Sequence, residues 1–209
     1  MSPSEQTGLL VTGHGAVRIA PDAARVSVGV SVLEPEASKA AENAAATANA
    51  VIEALVSADI ERGDITTSLY AINPEYDHTR DGRRLLGYRV DNTLTIHIRG
   101  IDQVGAVLDA VIAAGGDAVV IHGLALTVED EAPLLEEARA LAWADALAKA
   151  RHLAGLAGLT LGDPLFIAEF LHGTPPIPLS RMMAVEGATP IEAGTMEVRV
   201  GLQVRFETS

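Results

Sequence analysis

From residue 195 to 207 the chain alternates cleanly. Met196, Val198, Val200, Leu202, Val204 and Phe206 fall on one side of a period of two, and Glu197, Arg199, Gln203, Arg205 and Glu207 on the other. This is the pattern of a strand with one face buried and one wetted, which commits the chain to an antiparallel sheet covered on one side. Val26, Val28, Val30 and Val32 repeat it against Ser27, Gly29 and Ser31. So do Leu86, Tyr88, Val90, Leu94, Ile96 and Ile98, interrupted by Asn92, against Arg89, Asp91, Thr93, Thr95 and His97. Further strands are expected at 9–19, 65–73, 117–128 and 164–172. The first is expected to form an opening hairpin with the second around Pro21-Asp22, a turn signal.

Three segments carry the helical period instead. Ala37, Ala41, Ala44, Ala48, Val51 and Leu55 recur at spacings of three or four behind Pro35-Glu36, a stripe small enough to bring a helix backbone close to a sheet. Val104, Val107, Leu108 and Val111 define a short helix over about 101–114, stopped by Gly115-Gly116. The third, over about 131–157, is nearly all Ala and Leu, with acids at its start and Lys149, Arg151 and His152 near its end, a distribution that complements the helix dipole. The fold class is therefore α+β, a mainly antiparallel sheet with packed helices. The order of elements, with a partial echo of Leu55-Ala58-Ile60-Gly63-Asp64 at Ala154-Ala157-Leu159-Gly162-Asp163, predicts two duplicated βαββ halves. Residues 1–8 are expected to be a flexible N-terminus before a domain at 9–207, its halves at about 9–100 and 117–207 joined by the helix 101–114.

Composition narrows function by exclusion. The 209 residues carry 28 acids against 15 Lys and Arg, a formal charge of −13, which argues against nucleic acid as a partner. At 48% hydrophobic and 21% charged the chain is globular, and with only 3% aromatics its core is built from Ala, Val, Leu and Ile. No Cys is present, so thiolate nucleophiles, disulfides and Cys-ligated zinc are excluded. No apolar run approaches the 18 or so residues of a membrane span, and Met1 to Gly8 has no signal-peptide pattern. As written, the chain is expected to be cytoplasmic, or exported to the cell envelope if a leader precedes it.

No motif argues for catalysis. Gly13-His14-Gly15 lacks the third glycine and following helix of a phosphate-binding turn; glycines in a strand more often mark close approach of another backbone. His14, His78, His97, His122, His152 and His172 show no metal-ligand spacing, and His122, on an apolar face, reads as a hydrogen-bonded core histidine. Glu136 and Glu137 are adjacent on their helix and cannot converge on one substrate. No catalytic, cofactor or metal residue is assigned and no cofactor is implied. Residues 173–193 are aperiodic yet carry Ile177, Leu179, Arg181, Met182, Met183, Val185 and Ile191. A connection of that length and composition predicts contact, with another copy or a protein partner, against burial on its own chain or a floppy loop as the alternatives.

One resemblance covers about residues 9–207. Val11-x-Gly13-x-Gly15, Pro21-Asp22-Ala23, the Ala/Asn-rich 37–50, Gly63-Asp64-Ile65-x-Thr67, Pro74-x-Tyr76, Gly87-Tyr88 with Asn92 and Gly115-Gly116-Asp117 occur in order. Glu137-Ala138-Arg139, Ala148-Lys149-Ala150 and Pro190-Ile191-x-x-Gly194 complete the set. Together they resemble the SIMPL-domain, or YggE-like, family. The resemblance implies an α+β domain without an agreed catalytic centre, commonly exported to the envelope, linked to resistance to oxidative stress, and assembling into large oligomers. It carries over no functional residue. The leading expectation is a non-enzymatic, self-assembling protein of oxidative or envelope stress tolerance. The alternatives are a small-molecule binding protein with a pocket between its halves, lined by Tyr76 and Tyr88, and a hydrolase or metal enzyme of unrecognised type.

Overall fold

The computed structural model describes residues 8–79, 82–172 and 191–209. Seven strands and three helices follow in the order β1 (Leu9–Ile19), β2 (Ala23–Glu34), α1 (Ala37–Ser57), β3 (Ile65–Thr79), β4 (Gly82–Arg99), α2 (Val104–Gly115), β5 (Val119–Thr127), α3 (Ala132–Ala157), β6 (Leu161–His172) and β7 (Met196–Thr208). The α+β class holds, with every strand pair antiparallel. The strands divide between a four-stranded sheet of order β3-β4-β2-β5 and a three-stranded sheet of order β1-β7-β6.

The expected opening hairpin does not form. β1 pairs with β7, Leu9 opposite Phe206 and Ile19 opposite Met196, while β2 pairs with β4 and β5. Pro21-Asp22 is a crossing between compact units, not a hairpin turn. The alternation of each strand is satisfied by either partner, which is why periodicity alone misplaces β1. One unit comprises residues 21–129 with 191–193, the other 8–20, 130–172 and 194–209. The chain order β5-α3-β6-β7 thus does not make a second half; β1 stands beside β7, where the expected halves put β5. What the two units share is a topology: a strand, a helix and a hairpin whose second strand pairs with the first, in the orders β3-β4-β2 and β6-β7-β1.

In the contiguous unit, Val26, Val28 and Val30 of β2 and Leu94, Ile96 and Ile98 of β4 turn one sheet face onto Ala48, Val51 and Leu55 of α1 and Val104, Val107, Leu108 and Val111 of α2. Burying each Val, Leu or Ile there contributes about 1.5–3 kcal/mol. Asn92 interrupts the pattern with its side-chain oxygen buried and without a donor among the described residues. The other unit lays α3 over β1 and β7, with Ala138, Ala142, Ala146 and Ala150 against Val11, Val200, Leu202, Val204 and Phe206. Contact is at backbone range. A Cβ on Gly13 would lie 2.1 Å from the Ala142 carbonyl oxygen, and one on Gly15 would lie 1.9 Å from that of Ala138. The two glycines are there because α3 occupies the volume a side chain would take, as expected of glycines inside a strand.

Candidate functional site

The two edges of the three-stranded sheet are treated differently. Along β1 two of the open backbone groups, at Thr12 and His14, are capped from α3. The His14 amide donates to Asp145 Oδ2 at 2.8 Å, and Lys149 Nζ donates to the Thr12 carbonyl at 3.0 Å and to Asp145 at 2.6 Å. Lys149, then the His14 amide, hold the Asp145 carboxyl below its usual range. An acid and a base four residues apart on one helix thus satisfy a donor and an acceptor that a free edge would offer to another chain. Lys149 is therefore an edge cap rather than a partner of the helix dipole.

Among the described residues no such cap serves β6. It pairs only with β7 along its length, and Leu165, Phe166, Ile167 and Phe170 stand 57%, 49%, 53% and 36% exposed. Pro164 removes one donor near its start, and Arg139 of α3 reaches Glu169 at 3.0 Å. The stretch between combines an unpaired backbone with large apolar side chains, the composition that natural edges usually avoid. The four-stranded sheet repeats the feature more mildly, with Leu69, Tyr70 and Ile72 exposed on edge β3 and Val120 and Ile121 on edge β5.

Polar residues gather on the open sheet faces. On the three-stranded sheet, Glu197 points away from α3 as its alternation requires, yet it is only 8% exposed. Arg199 at 2.8 Å and Arg18 at 3.3 Å close over it and hold its carboxyl below the usual range. A cavity of about 320 Å³ opens beside it, lined also by His14 and Ala16. On the four-stranded sheet, Ser31 Oγ donates to Asp91 Oδ1 at 2.7 Å and accepts from Arg89 Nη1 at 3.1 Å, while Arg89 Nε pairs with Glu75. Ser31, Asp91 and His122 line one cavity, but not in the order of a nucleophilic triad. The hydroxyl proton is directed at a carboxylate rather than at an imidazole, so the three do not form a Ser-His-Asp relay. Among the described residues no three His, Asp or Glu side chains are grouped to hold a metal ion.

Comparison with known proteins places these features in a family. The model of the SIMPL family, described as a protein of unknown function (DUF541), matches residues 9–206. The chain belongs to the SIMPL family. It is 33% identical over 215 residues to the 26 kDa periplasmic immunogenic protein of Brucella melitensis, covering 95% of this chain and 84% of that protein. It is 27% identical over 186 residues to the uncharacterized protein YggE of Escherichia coli, covering 88% and 74% respectively.

Within this SIMPL domain, the interface candidates Ile177, Leu179, Arg181, Met182, Met183 and Val185 lie outside the described residues. Ile191, from the same segment, packs against the core of the contiguous unit, its own chain serving as partner. Tyr76 and Tyr88 both sit in the β3–β4 hairpin, opposite Leu85 and Pro74, with Arg83 stacked 4.0 Å over the Tyr76 ring. Neither lines the cavity at Ser31 or the one at Glu197. His122 is not a core histidine. β5 carries a bulge opposite Ser27 and Val28, which makes His122 the extra residue and turns it, exposed, over Gly29 on the open face. The bulge breaks the period of two on which its burial was read. The Asp145-Lys149 pair was missed for another reason: a spacing of four on one helix reads equally as an isolated ion pair, and its sheet partner lies more than 130 residues away.

Proposed function

We propose that this SIMPL protein is a non-enzymatic, self-assembling protein of the cell envelope that serves tolerance of oxidative or envelope stress. The observation that carries the reading is the contrast between the edges of one sheet, β1 capped at Thr12 and His14 by Asp145 and Lys149 and β6 without a cap among the described residues, with Leu165, Phe166 and Ile167 exposed. An uncapped apolar edge is a template for strand addition, and a second copy supplies a matching strand. Apolar edges on the four-stranded sheet add further contacts, so that assembly does not stop at a twofold dimer. The envelope part rests on the periplasmic designation of the Brucella relative. The non-enzymatic part is supported by a family description that names no activity and by the Ser31 hydroxyl facing Asp91 rather than His122.

Light scattering after size exclusion tests the assembly. The wild type should run as a multi-subunit particle, and the double variant Phe166→Lys with Ile167→Lys, still folded by circular dichroism, should fall to a smaller mass. A monomeric wild type, or a particle unchanged by the two lysines, would refute it. Fractionation of cells carrying the native gene tests the compartment, with recovery in the cytoplasm alone counting against it.

A further inference from the structure

We propose that the open face of the four-stranded sheet holds a binding site for a small organic cation, specifically a primary amine bearing a short apolar chain. The site is a cavity of about 310 Å³ centred on the Gly29–Thr93 pair of β2 and β4. That is at the lower end of ligand-site volumes and matches a ligand of few heavy atoms.

Two bulges build the concavity. β3 is interrupted between Thr67 and Leu69, which makes Ser68 the extra residue beside Thr93, and β5 is interrupted at His122 beside Ser27 and Val28. Both strands that flank the β2–β4 pair are thus broken at one level of the sheet. Bulges re-aim side chains and collect beside functional sites. The floor is Gly29, and its missing side chain matters. A Cβ there would lie 2.4 Å from His122 Nε2, so the imidazole occupies the place a side chain would fill. Thr93, 8% exposed, supplies a hydroxyl at the base, and the exposed side chains of Leu69 and Val120 form apolar walls.

The charge arrangement selects the ligand. Asp91 is oriented by Ser31, which binds Oδ1 and leaves Oδ2 without a donor from the described residues. Arg89 is occupied by Glu75 and Ser31. Immediately around Ser31, two carboxylates, Asp91 and Glu75, stand against one guanidinium, Arg89, in a protein whose formal charge is −13. An ammonium group can donate to Asp91 Oδ2 in a charge-assisted hydrogen bond, with the imidazole of His122 and the hydroxyl of Thr93 as further polar partners. Its alkyl chain then lies between Leu69 and Val120. A carboxylate ligand would meet Asp91 as a like charge, and an alcohol would forgo the charge-assisted bond.

Ligand-observed saturation-transfer NMR on the full-length protein tests this at any assembly size, with n-hexylamine, hexan-1-ol and hexanoate as probes. Hexylamine should bind saturably, hexanol at least tenfold more weakly, and hexanoate not at all. Asp91→Asn should weaken hexylamine at least tenfold. Gly29→Ala, which displaces the His122 ring, should weaken it as well and serves as the second readout if Asp91→Asn fails to fold. No hexylamine binding, equal affinity for hexanol, or full affinity in the folded variants would overturn the assignment. None of these changes touches β6, whose lysine variants test self-assembly separately.

Discussion

Gly15→Ala adds one methyl group where β1 meets α3, and the structure sets its cost. The new Cβ would lie 1.9 Å from the Ala138 carbonyl oxygen and 2.6 Å from the Ala142 amide nitrogen. Non-bonded heavy atoms settle at about 3.5 Å, so strand and helix must separate by more than an ångström. The obstacle is backbone, and no rotamer change relieves it. A gap of 0.5–1 Å already forfeits about a quarter to a half of a contact's dispersion energy, here along the buried line Ala138, Ala142, Ala146 and Ala150. Overpacking costs typically about 1–3 kcal/mol, and a backbone clash belongs at the upper end. Replacing Gly also lowers the entropy of the unfolded chain, a gain of about 0.4–1 kcal/mol that is too small to reverse the sign. The net loss should be about 2–3 kcal/mol, a fall in Tm of roughly 4–12 °C for a chain of this size. The control is Gly155→Ala in α3, where nothing lies within 4 Å of the added Cβ. There the helix should gain about 0.5–1 kcal/mol. Thermal and urea unfolding followed by circular dichroism reads both. If Gly155→Ala stabilises while Gly15→Ala stays within about 0.5 kcal/mol of wild type, β1 does not lie on α3 in this register.

Asp145→Ala removes the acceptor for the His14 amide and the anchor of Lys149. Hydrogen exchange at His14 should rise at least tenfold, with a stability loss of about 1 kcal/mol; unchanged protection would mean that the β1 edge is closed by something else. Glu129 accepts from His97 at 2.5 Å and from Arg99 at 3.1 Å, and these two partners, His97 first, hold its carboxyl below the ordinary value of 4.5. A folded-state value below the unfolded one contributes stability above about pH 4.5 that is lost as pH falls through the lowered value. Glu129→Gln should therefore lower Tm at pH 7 and leave it nearly unchanged near pH 2.5; a deficit of equal size at both pH values would show that the loss is not electrostatic.

How far the sequence could be read depended on the range of the interaction. The face of β2 at Val26, Val28 and Val30, those of β4 from Val90 to Ile98 and of β7 from Val198 to Phe206, the Ala44-Ala48-Val51-Leu55 stripe of α1 and the close approach at Gly13 and Gly15 are local patterns found where the alternation or spacing put them. Leu86, expected on the buried face of β4, is instead exposed, and Ala40 takes the buried place expected of Ala37 and Ala41. Partner choice is not local. Val11 and Val17 satisfy a buried face whether they meet Val26 or Val204, and only the three-dimensional contacts select β7. The candidate sites divide along the same line. Asp91 and Thr93 were legible as the polar face of β4, but their convergence with His122 required a bulge that a strict period of two conceals. Exposure of Leu165, Phe166, Ile167 and Phe170 was equally hidden, because an apolar strand reads the same at the centre of a sheet as at its edge.

Two of the crossings between the units, after Ala20 and after Glu129, explain how one chain builds the same topology twice without tandem halves. The chain leaves β1 at Pro21 and returns toward α3 at Glu129, and the two points are joined: the Glu129 amide donates to Asp22 Oδ1 at 2.8 Å and the Asp22 amide to the Thr127 carbonyl at 3.2 Å. Arg99 then ties Glu129 to Asp64 at the start of β3. These contacts all lie within the contiguous unit, which can close them while the other still lacks its partners. The β1–β7 pairing joins residues near both ends of the chain, and its loop-closure cost grows only with the logarithm of the intervening length. With residues 21–129 already compact, the effective loop is shorter still. Inserting a complete unit between β1 and α3 therefore costs little entropy, and β2 keeps β5 as an edge partner over eight registered residue pairs. The discontinuous unit is the arrangement that leaves both β2 and β7 flanked on two sides.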